Sequence, residues 1–194
     1  MIPQLAARFE TAAQLPGAEY LAKLRYLILP IREADAVPQP LRCKTLLELP
    51  RAAFGTVEPD TMRRLAALEG SGFAGVVANN LAQFGYASPL PVFGGLGLNV
   101  TNPMSAAEYV CLGARGLLVQ PETALTAMRA VAPRQKDGTP VPTAALCYGH
   151  LPLMLTRACP LRNVHTSCAG CTYKGKLRAV SYTHLRAHET CADL

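Results

Sequence analysis

Short apolar runs recur along this chain, each followed by a stretch with helical spacing or a loop. YLILPI (Tyr26 to Ile31), KTLLELP (Lys44 to Pro50), FAGVVANN (Phe73 to Asn80), GGLGLNVTN (Gly94 to Asn102), GLLVQP (Gly116 to Pro121) and TAALCYGH (Thr143 to His150) carry neighbouring apolar residues instead of alternating ones. A strand with one wet face would alternate. These runs therefore predict strands covered on both faces, as in a parallel sheet flanked by helices, and the fold class is α/β. EPDTMRRLAALEGSG (Glu58 to Gly72) reads as a helix with Asp60 as its N-cap. SAAEYVCLGA (Ser105 to Ala114, capped by Ser105) and ETALTAMRAVA (Glu122 to Ala132) read the same way. Leu81 to Ala87 reads as a helix or irregular turn, Arg32 to Arg42 as a Pro-rich loop, and Met1 to about Lys23 as an amphipathic helix broken at Pro16-Gly17.

Five or six βα units in series suit either a doubly wound sheet or part of a (β/α)8 barrel. No G-x-G-x-x-G opens a helix near the first strand, and the glycines of GGLGLN sit where close packing explains them. Periodicity leaves both folds open. With 194 residues, 50% of them hydrophobic and 16% charged, the chain can bury one core and is not a disordered polymer. A net charge of +6 without a basic block permits an anionic partner but does not require one. No apolar run reaches the ~18 residues of a membrane span, and the N-terminus lacks the basic start and apolar core of a secretory signal.

Cys159, Cys168 and Cys171 follow the spacing C-x8-C-x2-C. Two residues between thiolates let both reach one centre from a single turn, and soft ligands favour an iron–sulfur cluster or zinc over calcium or magnesium. A redox pair and inert thiols are the competing readings. Either metal site calls for a fourth ligand, which this spacing does not supply. The odd total of seven cysteines, three of them so clustered, points to a reducing cytoplasm over a disulfide framework. Cys43, Cys111 and Cys147 stand singly in apolar stretches and are expected to act as packing.

Ligands of parallel α/β folds lie at the C-terminal ends of strands. The polar residues expected there are Glu48, Asn79, Asn80, Asn99, Asn102, Glu122, Tyr148 and His150. Glu48 and Glu122 are candidate acid–base groups, with His150 a third catalytic candidate. Asn79, Asn99, Asn102 and Tyr148 are candidates for binding substrate. Each has a plain alternative: Asn as a loop clamp, Glu122 as a helix-start carboxylate, His150 as a satisfied loop residue. No G-x-S-x-G elbow and no H-E-x-x-H motif is present.

The run G-H-L-P-L-M-L-T-R-A-C-P-L followed by C-A-G-C resembles the signature of the collagenase-like peptidases, peptidase family U-thirty-two. LELPRAAFG at Leu47, GVVANN at Gly75, GLNVTNP at Gly97 and QPE at Gln120 extend the resemblance over about Tyr26 to Arg178. It implies the C-terminal part of a TIM-type barrel domain, cut short, since a full barrel holds about 250 residues. Residues 1–178 are then a partial barrel ending in the cysteine segment 148–171, and 179–194 a non-native or disordered tail. SYTHLRAHET (Ser181 to Thr190) resembles a translated sequencing adaptor, so His184, His188 and Cys191 are not recruited as ligands.

The resemblance implies hydrolysis of peptide bonds in a cytoplasmic protein with a four-cysteine 4Fe-4S cluster, of which Cys159, Cys168 and Cys171 would be three ligands. Zinc is the alternative metal. A peptide or protein would be the substrate of the intact enzyme, the piece by itself being inactive. Relatives that hydroxylate RNA bases or a quinone precursor suggest a second activity, with RNA as the alternative partner. A domain merely stapled by metal is the third reading. An Ala-Pro-Ala-Gly type segment of the family is missing, His150 stands where Arg is usual, and no fourth cysteine follows Cys171 in the expected place.

Overall fold

Among the described residues seven strands pair side by side, all parallel, in the order in which the chain makes them. They are β1 (Leu5–Arg8), β2 (Leu24–Pro30), β3 (Thr45–Glu48), β4 (Gly75–Ala78), β5 (Val92–Gly94), β6 (Ala114–Val119) and β7 (Thr143–Ala145). The structure is a computed structural model and describes residues 4–86, 90–149 and 151. Its backbone divides into two units, Met1–Leu146 and Cys147–Leu194, and the sheet belongs to the first.

The strand order separates the two folds that periodicity left open. A doubly wound sheet reverses direction once, which leaves its first strand in the interior. Here every connection steps one place the same way, and right-handed crossovers of that kind put all helices on one face. The result is a curled half-barrel of the (β/α)8 type. Among the described residues β1 pairs only with β2 and β7 only with β6, so both are edges.

The uniform apolar runs are buried as their lack of alternation requires. All four residues of β4 are buried, as are Thr45, Leu46 and Leu47 of β3. One core gathers Leu29, Leu47, Leu49 and Val76 from the strand side with Leu65 of the helix after β3 and Leu68 at that helix's C-cap. A second gathers Leu98, Val100, Ala106, Leu117, Val119 and Val131. Each Leu or Val side chain among them taken fully out of water contributes roughly 1.5–3 kcal/mol. The edge strands are the exception, with β7 exposed throughout.

Among the described residues the α-helices between strands are α1 (Ala18–Lys23), α2 (Gln39–Arg42), α3 (Val57–Ala67), α4 (Pro103–Cys111) and α5 (Leu125–Ala130). Several differ from the sequence-based expectation, each for a local reason. The expected N-terminal helix is instead β1, a 3-10 turn (Ala12–Gln14) and α1. The break at Pro16-Gly17 leaves segments too short to hold a helix unaided, and Leu5–Arg8 gains strand pairing with β2, continued by the Phe9 N–H donating to the Ile28 carbonyl at 2.9 Å. The Pro-rich loop holds a 3-10 helix (Ile31–Ala36) and α2, where Pro40 fits the first turn because its N–H is not needed there.

Asp60 lies inside α3, paired with Arg63 one turn on, and Thr56 precedes the helix. Asn102, not Ser105, caps α4, since Pro103 takes the first helical position. The expected strand Gly94–Asn102 ends at Gly94, and a 3-10 turn (Leu96–Leu98) leads into left-handed Asn99 at φ 52°. Cys43, Cys111 and Cys147 are exposed rather than packed. Cys43 falls in the turn between α2 and β3, and Cys111 closes α4 on its wet side, so their apolar sequence neighbours do not cover them.

Candidate functional site

Glu48 closes β3, and the register sets it beside Pro30, the last residue of β2. Arg8 closes β1, one strand further out, and reaches across β2. Its Nε donates to Glu48 Oε2 at 2.7 Å and its Nη1 to Glu10 Oε1 at 2.8 Å. The chain of charges continues along the rim. Arg32 Nη2 donates to Glu10 Oε2 at 3.3 Å, and Glu33 Oε2 accepts the Ala12 N–H at 3.0 Å. Glu48 is the more sheltered member of its pair, its side chain 19% exposed against 45% for Arg8. Burial opposes the Arg8 charge, but hydrogen bonds and attraction from Glu10 and Glu48 outweigh it and raise its pKa.

Asn79 ends β4 and is buried. Its Nδ2 donates to the Leu49 carbonyl at 2.9 Å, and its Oδ1 accepts the Gly97 N–H at 3.2 Å. The Asn79 N–H in turn donates to Gln83 Oε1 at 2.6 Å, while Gln83 Nε2 donates to the Pro50 carbonyl at 2.6 Å. Two side chains thus stitch the loops after β3, β4 and β5 together directly beneath the rim. The glycines of GGLGL allow it: a Cβ on Gly97 would stand 2.1 Å from the Asn79 carbonyl oxygen, and one on Gly95 2.5 Å from Asn79 Oδ1. Asn80 accepts the Gln83 N–H at 3.2 Å and caps the 3-10 helix Leu81–Gly85.

The other polar candidates serve the backbone or stand apart. Asn99 Oδ1 accepts from Gln120 Nε2, which also donates to the Leu96 carbonyl at 2.8 Å. Asn102 Oδ1 accepts the Ser105 N–H at 2.9 Å. Glu122 is exposed in the turn after β6, ahead of α5 and outside its first turn, so the helix-start role does not apply to it. Tyr148 is 97% exposed and belongs to the second unit. His150, Cys159, Cys168 and Cys171 lie outside the described residues. Among the described residues no group of three or more His, Cys, Asp or Glu side chains is placed to hold a metal ion, and no helix is long and apolar enough to cross a membrane.

Sequence reasoning singled out Glu48 and Asn79 but missed Arg8, Glu10, Gln83 and Arg51. Arg8 was hidden because its strand read as helix. Gln83 did leave a signal, since Asn80 followed three residues later by Gln is the spacing of a capping box. Arg51, three residues past Glu48, feels three influences. Burial lowers its pKa, attraction from Glu48 opposes that, and repulsion from Arg8 adds to it.

Chemically, Glu48 offers a carboxylate with one oxygen committed to a guanidinium. Its Oε1 accepts no hydrogen bond among the described residues. That oxygen is positioned to take a proton from a ligand or water at the rim. An open groove of about 450 Å³, lined by Cys111, Arg115, Arg134, Lys136 and Asp137, lies at the start of β6. That is the opposite end of the strands from the rim, the end that carries stability in barrels of this kind.

No family model and no curated protein matches the chain. Among solved structures it is similar to that of the U32 peptidase Mk0906, with a TM-score of 0.49 at 13% identity over 70% of each chain.

Proposed function

We propose that this chain is a portion of a peptide-bond hydrolase of the collagenase-like type, working at the C-terminal rim of its half-barrel. The observation that carries the reading is Glu48, a partly sheltered carboxylate at a strand's C-terminal end, held by Arg8 with one oxygen left open. The signature run from Gly149 to Cys171 and the singly wound sheet support it. In this reading Glu48 Oε1 takes a proton from a water whose oxygen bonds to the scissile carbonyl carbon. The same proton passes to the amide nitrogen as the C–N bond breaks, leaving a carboxylate and an amine. Arg8 fixes the carboxylate in place, and the Asn79–Gln83 stitching holds the loop that follows it. The test is hydrolysis of denatured collagen by the intact protein. Glu48→Gln is expected to lower kcat by about 10²–10⁴-fold with an unchanged melting temperature. Undiminished hydrolysis would sink the role of Glu48.

The cysteine spacing favours a second reading, oxidative chemistry on RNA bases or a quinone precursor. In it, Cys159, Cys168 and Cys171 are three ligands of an iron–sulfur cluster in a cytoplasmic protein. A cluster of this class supplies electron transfer, which peptide hydrolysis does not need. Anaerobic reconstitution with iron and sulfide, followed by visible absorption, separates the readings. Loss of the absorption in Cys168→Ser would support the cluster, and its absence from the wild type would remove this alternative.

A further inference from the structure

We propose that Arg51, three residues past Glu48 on the loop that leaves β3, is the binding subsite for the terminal carboxylate of a peptide, so that the enzyme acts near chain ends. The inference rests on the hydrolase reading for its substrate, and on independent geometry for the subsite. Arg51 is partly buried, yet its guanidinium makes no hydrogen bond and no ion pair among the described residues. Arg8, by contrast, has its donors committed to Glu48 and Glu10. Arg51 thus presents a fork of five N–H donors, partly withdrawn from water, three residues past the end of β3.

The backbone beneath Arg51 is not free to relieve this. The Leu49 N–H donates to the Val77 carbonyl at 2.9 Å. Asn79 holds the Leu49 carbonyl and Gln83 the Pro50 carbonyl, immediately before Arg51. An arginine presented on so constrained a loop, repelled by its neighbour, is preorganised for an incoming anion. A planar fork matches a carboxylate through two parallel hydrogen bonds. A singly charged carboxylate also suits the place better than a phosphate dianion, because Glu48, Glu10 and Glu33 line the same rim and repel double charge more strongly. With the terminal carboxylate on Arg51, the substrate's end is held on the same loop that Glu48 opens.

The experiment measures binding to this chain by fluorescence anisotropy, with one labelled peptide made as the free acid and as the C-terminal amide. Inorganic phosphate serves as competitor. The acid should bind at least about tenfold more tightly than the amide, as a charge-assisted bidentate contact gives. Millimolar phosphate should not displace it. Arg51→Gln should erase the difference, and Arg51→Lys should recover only part of it. Both variants should melt like the wild type, since Arg51 holds nothing in the fold. Equal binding of acid and amide, a difference that survives Arg51→Gln, or no binding of either would overturn the subsite. Displacement by phosphate would overturn the choice of carboxylate. Intact hydrolysis by the full protein alongside equal binding would leave the hydrolase reading standing without the subsite. A clear acid preference with undiminished hydrolysis in Glu48→Gln would do the reverse.

Discussion

At Asn79 a single side-chain amide meets backbone groups from two other loops, the Leu49 carbonyl and the Gly97 N–H. Alanine there would leave both without a partner in a buried place. Asn79→Ala is expected to lose about 2–4 kcal/mol in urea denaturation, since each orphaned buried group costs roughly 1–3 kcal/mol. A loss under about 0.5 kcal/mol, the scatter of surface changes, would show that water replaces the amide. At Asp137, the Thr139 N–H donates to the carboxylate at 2.9 Å, and that bond is the main cause of its lowered pKa. The native state therefore binds this proton less readily than the unfolded chain. The stabilisation is present above the unfolded pKa and fades as pH falls through the native value. Carboxyl NMR titration should place Asp137 below an unstructured aspartate, and Thr139→Pro, which removes the donor, should return it toward that value. What composition revealed at this scale was capacity. The asparagines could be recognised as donors and acceptors, but not that backbone a strand away would occupy them. Arg51 was illegible because its environment is assembled from β1 and β3, which only the fold brings together.

Among the elements, β3, β4 and β6 were readable because both faces are buried and the apolar run is the direct record of that. The edge strands left no such record. Leu5–Arg8 is mostly exposed, and its pairing with β2 is a backbone matter that side chains do not encode. The stretch after Gly94 misled for another reason. Its glycines look like strand filler, yet they mark where the loop after β5 presses on Asn79. Gly97→Ala should therefore cost about 1–3 kcal/mol as an overpacking change. Gly85→Ala, with nothing within 4 Å of the new methyl, should be near neutral. Comparing the two melting temperatures checks this, and equal values would mean that the loop yields. At α4, Asn102→Ala should remove about 1 kcal/mol, the usual worth of such a cap.

For the whole molecule, the two outer strands of the described sheet, β1 and β7, are the dominant liability. β7 is exposed along its length, and β1 nearly so. Outer strands exposed in this way recruit other chains. The expressed chain should self-associate at micromolar concentration in sedimentation, and Ala144→Lys should lessen this by placing a charge on the edge. A monodisperse monomer would show that these edges are covered.

The coincidence of strand order with chain order also governs how the fold is reached. Leu5 waits only for Leu24, Leu46 for Gly75, and Leu117 for Thr143. No strand must hold its place while a remote partner is synthesised, so loop-closure entropy is met in small instalments. The sheet can accrete strand by strand as the chain leaves the ribosome, each new βα unit docking on a finished edge. The strand that has just emerged is then always the provisional one, and each finished edge of the nascent protein is the template for the unit that follows it.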